Sequence, residues 1–319
     1  MTIHHYNQPY LTIHDFHSHK HYGWDNSLQP IAEVESGQTV SYEVVESSSG
    51  QFTKQSTKED VVNIDFERVN PVAGPVYIKD AKPGDTLEVE IIDFKQLDWG
   101  WTAIIPGFGL LADDFPDAAI KTYDLANRER AEFLHGIDLF LKPFPGTIGV
   151  ALSERGNHGI LPPRHNGGNM DTRHLISGAK LYLPVLVEGA LFSIGDTHAA
   201  QGDGEVCGSA VEASMEATVR FKLHKGKTIQ EPRYELPGPP TPEADSMGYF
   251  VTTGNGTDLL AASKSAIRYM IQHIVQTYGM TEQEAYMLCS VAVDLRISEI
   301  VNQPNLVVSA FLPKSIFTK

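Results

Sequence analysis

The chain has 319 residues, 41% hydrophobic and 20% charged, a soluble globular composition with room for one large domain or two ordinary ones. A net charge of −15 excludes the basic face that a nucleic-acid partner needs. Two cysteines, Cys207 and Cys289, cannot build a disulfide framework or a cysteine zinc knuckle. No apolar run reaches the roughly 18 residues of a membrane span, and the N-terminus has no secretory pattern, so a cytoplasmic protein without a membrane partner is expected.

In chain order, the first thirty residues carry His4, His5, His14, His17, His19 and His21. Their irregular spacing reads as a polar strand and loop leading to Trp24, with a metal-binding tract as the alternative. From about residue 31 to 95 the text is strand and turn. Thr39–Val45 and Thr86–Asp93 alternate, and Lys82-Pro83-Gly84-Asp85 is a type II turn. Residues 96–130 read as irregular, with Trp99-Gly100-Trp101 and Pro106-Gly107-Phe108-Gly109 in loops that line a pocket or cover a sheet end. Pro145–Leu152 reads as a short buried strand. Next comes Asn166-Gly167-Gly168-Asn169-Met170-Asp171. Asn169 and Asp171 both offer oxygen to a cation or a polar substrate, although an ordinary turn looks the same. Two further strands, Ala179–Val187 and Gly189–Gly195, bring this loop and the next one to the same end of a sheet.

The densest chemistry lies between Gly195 and Glu212. Asp196 and His198 stand at i and i+2, so on an extended chain they converge while Thr197 faces away. Gln201-Gly202-Asp203-Gly204-Glu205 reads as a tight turn, with Asp203 and Glu205 at its tip or on the return strand. One imidazole among several acids suits a divalent metal; solvated acids on a polar hairpin end are the alternative. Cys207, between Val206 and Gly208, reads as a small packing residue. A thiolate nucleophile is its alternative role.

From Glu212 to Lys222 the chain alternates again. Ala213, Met215, Ala217, Val219 and Phe221 are expected inward, and Glu212, Ser214, Glu216, Thr218, Arg220 and Lys222 outward. Residues 231–243 form a proline-rich connector. Helices follow. Asp258 caps Leu259–Tyr278, with Leu260, Ile267, Met270, Ile271, Ile274 and Val275 on the apolar stripe and Gly279 ending it. Thr281-Glu282-Gln283-Glu284 is a capping box that opens a second helix through about Val291. Asp294, Arg296 and Glu299 then suggest a local ion pair. The expected fold is α+β and β-dominated, with a β-sandwich or barrel-like core carrying the site at 1–230. A connector and a C-terminal α+β portion, 231–319, pack on it.

Several motifs together resemble the acetamidase/formamidase family. They include His21-x-x-Trp24-Asp25, Gly74-Pro75-Val76, Lys82-Pro-Gly-Asp85-Thr-Leu-Glu-Val89 and Gly167-Gly-Asn-Met-Asp171. Leu181-Tyr-Leu-Pro-Val185, Gly189–His198, Asp294-Leu-Arg-Ile-Ser298 and Pro304-Asn305 extend the likeness over nearly the whole chain. The resemblance implies a β-rich fold with a C-terminal helical portion, a divalent metal, and hydrolysis of a small amide to acid and ammonia. With the clustering, it suggests Asp171, Asp196 and His198 as metal ligands and Asn169 as the group that orients the substrate. Glu205 is the expected general acid/base, with Glu212 in reserve. Zinc is the expected ion and calcium the second choice, because calcium prefers an all-oxygen set of six to eight ligands. The expected partners are a small amide and further copies of the chain in a homo-oligomer, a dimer. Two readings stand as alternatives: an amidase with Cys207 as nucleophile, and a non-catalytic metal-stabilised binder of a small ligand.

Overall fold

The computed structural model describes residues 10–13, 19–96, 98–126, 128–239 and 241–318. His4, His5, His14 and His17 lie outside them. Two sheets face each other. One has the strand order Tyr10–Ile13, Thr39–Val44, Met215–His224, Thr86–Gln96, Lys180–Pro184, Arg233–Glu235. Its inward residues Tyr42, Val89, Ile91, Ala217, Val219 and Phe221 are buried. They meet Val76, Phe144, Ile148, Phe192 and Ile194 of the second sheet in one apolar cluster. Each large side chain fully buried there contributes about 1.5–3 kcal/mol. The alternation expected from Ala213 to Phe221 therefore holds on the apolar side.

The second sheet is built around Phe192–Ala200, whose residues are all buried. This strand pairs antiparallel with Phe144–Gly149, with Val72–Ile78, and with the short Val211–Glu212. Its register shifts between Phe192 and Ile194 and again between His198 and Ala200. Gly195 is obligatory here, because a Cβ would lie 2.3 Å from the Pro71 carbonyl oxygen.

The irregular reading of 96–130 is corrected. Trp99–Ile104 and Ala119–Asp124 are strands of the second sheet, paired with Trp101 opposite Thr122. From Gly100 to Ile104 every residue is buried, so the alternation that marks a half-exposed strand is missing. Gly100 permits the pairing, since a Cβ would meet the Glu212 carbonyl at 2.6 Å.

The C-terminal portion follows its local signals. Asp258 accepts a hydrogen bond from the Ala261 amide at 2.8 Å, and Gly279 closes the helix Leu259–Tyr278 at φ +69°. Thr281 and Glu284 form the capping box of Glu282–Ala292. Leu260, expected on the apolar stripe, is instead 60% exposed in the first turn, before the helix reaches the core. Met270, Ile274, Leu288, Val293 and Leu312 pack into one cluster with Ala199, Val206, Val211 and Met215. A small sheet of Tyr249–Gly256, Leu306–Pro313 and Asp294–Glu299 completes this portion. The fold is the expected β-dominated α+β class with its helices near the C-terminus.

Candidate active site

Four segments bring polar side chains together at a cavity of about 330 Å³. Phe192–Ala200 supplies Asp196 and His198, and the adjoining Val211–Glu212 supplies Glu212 directly opposite His198. The end of the strand Gly167–Asn169 and the residues after it supply Asn169 and Asp171. The turn after Ala200 supplies Glu205. His198 Nε2 lies 3.2 Å from Asp196 Oδ1 and 3.3 Å from Glu212 Oε2. Ligand atoms of Asp171, Asp196 and His198 lie within 4.8 Å of one another, and so do those of His198, Glu205 and Glu212.

The surrounding bonds fix orientation. His198 Nδ1 donates to Gln201 Oε1 at 2.9 Å, which leaves Nε2 facing the carboxylates. Gln201 Nε2 in turn donates to the Asp171 carbonyl at 2.8 Å. Asn70 Nδ2 donates to Asp196 Oδ2 at 2.9 Å and to Asn169 Oδ1 at 3.0 Å. Thr147 Oγ1 donates to Asn169 Oδ1 at 2.6 Å. Glu212 accepts from Ser47 Oγ at 2.8 Å and from the Ala210 amide at 2.9 Å.

Backbone strain falls on three of the same groups. Asp171, Asp196 and Glu205 have φ of +45°, +52° and +43°. A non-glycine residue held there costs about 1–3 kcal/mol, which the surrounding fold must offset. Asp171 Oδ1 is buried without a hydrogen-bond partner. Gly146 lines the same spot: a Cβ would stand 2.8 Å from Asp171 Oδ1 and 2.7 Å from the His198 ring. Four carboxylates, one of them with an orphaned oxygen, and one imidazole are a donor set that fits a divalent cation.

Electrostatics point the same way. Burial pushes the Asp171 carboxyl up to about 7; the charge of His198 opposes the rise and Asp196 adds to it. Burial and then the charge of Asp171 hold Glu205 well above the usual carboxylate range. Burial also raises Glu212, against the pull of His198. Burial disfavours charge on His198, yet Glu212 and Asp196 outweigh it and raise the imidazole well above its ordinary value. Buried negative groups this close need protons or a cation between them.

Every expected site residue thus borders one centre: Asn169, Asp171, Asp196, His198, Glu205 and Glu212. Asp196 and His198 converge, but through a left-handed Asp196 and not by plain strand alternation. Thr197 faces away, donating to the Ala213 carbonyl at 2.6 Å. Glu212 was expected outward and is instead 2% exposed. The chain changes sheets between Val211–Glu212 and Met215–His224, which resets the alternation. Asp203 stands apart, in an ion pair with Arg173 at 3.1 Å. Asp294 pairs with Arg296 as expected, at 3.3 Å, and with Arg173 at 3.0 Å, whereas Glu299 accepts from the Asn302 amide at 2.6 Å. His21 bonds to Ser193 Oγ at 2.9 Å and to the Gly23 carbonyl at 2.8 Å, a strand tie away from this centre. Sequence reasoning missed Ser47, Asn70, Thr147 and Gln201. Only Gln201 carried a signal, three residues after His198.

A model of the acetamidase/formamidase family matches residues 10–158 and 153–319. A formamidase of Methylophilus methylotrophus is 26% identical, over 93% of this chain and 89% of that protein. The crystal structure of an acetamidase from Bacillus halodurans superposes with a TM-score of 0.67 at 32% identity, over 95% of this chain and 96% of that one. A gamma lactamase from Delftia acidovorans gives a TM-score of 0.89 at 24% identity, over 97% and 94% of the two chains, a likeness of fold alone. The matched segments span the two facing sheets, the carboxylate–imidazole centre and the C-terminal helices, and the chain belongs to the acetamidase/formamidase family of amidohydrolases.

Proposed function

We propose that the chain hydrolyses a small carboxamide to carboxylate and ammonia at this centre, with Asp171, Asp196 and His198 holding a divalent cation. The observation that carries the reading is the convergence of four carboxylates, all lining one cavity, on the His198 imidazole behind them, with Asp171 Oδ1 left without a partner. The imidazole favours zinc over calcium. Such an ion lowers the pKa of water toward about 7 and polarises a carbonyl.

The chain's own groups supply the rest. Glu205 lines the cavity, where burial and then the charge of Asp171 raise its carboxyl well above the usual carboxylate range. In its ionised form this carboxylate would take the proton of the attacking water and then return it to the leaving nitrogen as the C–N bond breaks. Glu212 is less free for that work, because Ser47, Ala210 and His198 already engage its oxygens. Asn169 Oδ1 is occupied by Asn70 and Thr147, which leaves the Nδ2 donors for a substrate oxygen.

The thiol alternative is not favoured. Cys207 is fully buried, its Sγ faces the Ala103 carbonyl at 3.4 Å, and burial pushes its thiol up to about 11. Two buried free cysteines support a reducing, cytoplasmic setting. No helix among the described residues is long and apolar enough to cross a membrane. Ile297, Ile300 and Val301, close in sequence, leave large apolar side chains exposed that a second copy of the chain would cover in a homo-oligomer.

The test is Glu205→Gln, assayed by ammonia release from formamide and acetamide. Fold and bound metal should persist while turnover falls by roughly 10²–10⁴, the usual worth of a general acid/base. Near-normal turnover with an unaltered acid limb of the pH profile would move the role to Glu212 or away from this stretch.

A further inference from the structure

We infer that the amide taken by this centre carries an apolar acyl chain longer than acetyl, seated between Phe108 and Leu161. The inference rests on the amidase reading above and adds the substrate class. The cavity has two unlike kinds of lining. Ser47, Asn70, Asn169, Asp171, Asp196, Glu205 and Glu212 give its polar lining, and Phe108, Gly109, Leu161 and Gly208 the apolar lining. At about 330 Å³ it is far larger than formamide requires: a water takes roughly 30 Å³ of liquid volume.

The apolar lining continues outward. A second, smaller cavity of about 40 Å³ shares Ser47, Asn70, Phe108, Leu161 and Gly208 with the first, and adds Ser48 and the apolar Ile64, Phe66, Val69, Trp101 and Ile105. The residues common to both stand where the two cavities adjoin. Phe66 is 49% exposed and Phe108 41% exposed, so both leave apolar surface free for an acyl chain to cover. The Phe108 ring packs directly on Gly208, where a Cβ would lie 2.4 Å from it. That glycine keeps the ring close to the polar lining. A carboxamide head at Asn169 and Glu205 would therefore direct its acyl tail along Phe108 and Leu161 toward Ile64 and Phe66. Formamide leaves this surface bare, and acetamide covers little of it.

The experiment compares kcat/KM by ammonia release for formamide, acetamide, butyramide and isovaleramide, with wild-type protein in its metal-loaded form. Each methylene taken into an apolar pocket is worth roughly 10–200-fold, so butyramide should exceed acetamide by at least about tenfold. Ile64→Trp, which fills the outer cavity, should lower the butyramide-to-acetamide ratio by about tenfold. Phe66→Ala, at an exposed position that tolerates change, should lower the same ratio by stripping the wall. A profile that is flat or falls with chain length in wild type overturns the inference and leaves the amidase reading standing. A ratio unmoved in both variants does the same. Ammonia release from none of the four amides overturns the amidase reading, and this inference with it.

Discussion

Asp171 shows how much of the site is decided one residue at a time. Its backbone is left-handed, its Oδ1 lacks a partner, and burial pushes its carboxyl up to about 7. Its carboxyl thus holds a proton more tightly in the folded chain than in the unfolded one. Glu205, Glu212 and His198 are raised as well, so all four act in one direction. A raised folded-state pKa contributes stability at low pH that is lost as pH rises. For Asp171 the loss runs from its ordinary value of 3.8 to about 7. Chelated protein should therefore melt at a lower temperature at pH 8 than at pH 5, and Asp171→Asn should flatten that slope. A melting temperature that rises over this range would contradict the assignment. The acids and His198 were legible in the sequence because Asp196-x-His198 and the Gly-rich turn bring reactive groups close along the chain. Asn70 and Thr147 were not. They reach Asp196 from positions 126 and 49 residues away in sequence, and nothing local marks that meeting.

At the scale of elements, the pairing of Phe144–Gly149 with Phe192–Ala200 sets the width of the site. Gly146 stands where that pairing passes His198 and Asp171. Gly146→Ala should keep the fold at a cost of about 1–3 kcal/mol for overpacking. It should lower activity by roughly a hundredfold, because small misplacements of catalytic groups are that costly. Circular dichroism with ammonia release would check both parts, and normal activity would show that the contact is not critical. The late helices were readable because caps and glycine stops are local chemistry. The strand Trp99–Ile104 was not, since burial on both faces removes the alternation that identifies strands. Glu212 was placed on the wrong side for a related reason: the step between sheets breaks the period on which that placement relied.

At the scale of the molecule, the C-terminal portion is bolted to the site. Arg173 pairs with Asp294 at 3.0 Å and with Asp203 at 3.1 Å, and donates to the Gln201 carbonyl at 3.2 Å. Gln201 is the residue that orients His198. Arg173→Met leaves a buried Asp294 without its main counter-charge and should cost about 3 kcal/mol in stability. Activity should fall with it, as the Gln201 anchor loosens; an unchanged denaturation midpoint would count against the clamp. The β-dominated class was visible in the sequence from the many short strands, but this bolt joins residues 121 apart and was not. The central claim is that a divalent cation belongs among Asp171, Asp196 and His198, and its most direct test is ammonia release from acetamide by chelated protein before and after added Zn²⁺. Turnover should vanish on chelation and return with the ion, whereas full turnover in protein shown metal-free by elemental analysis would contradict it.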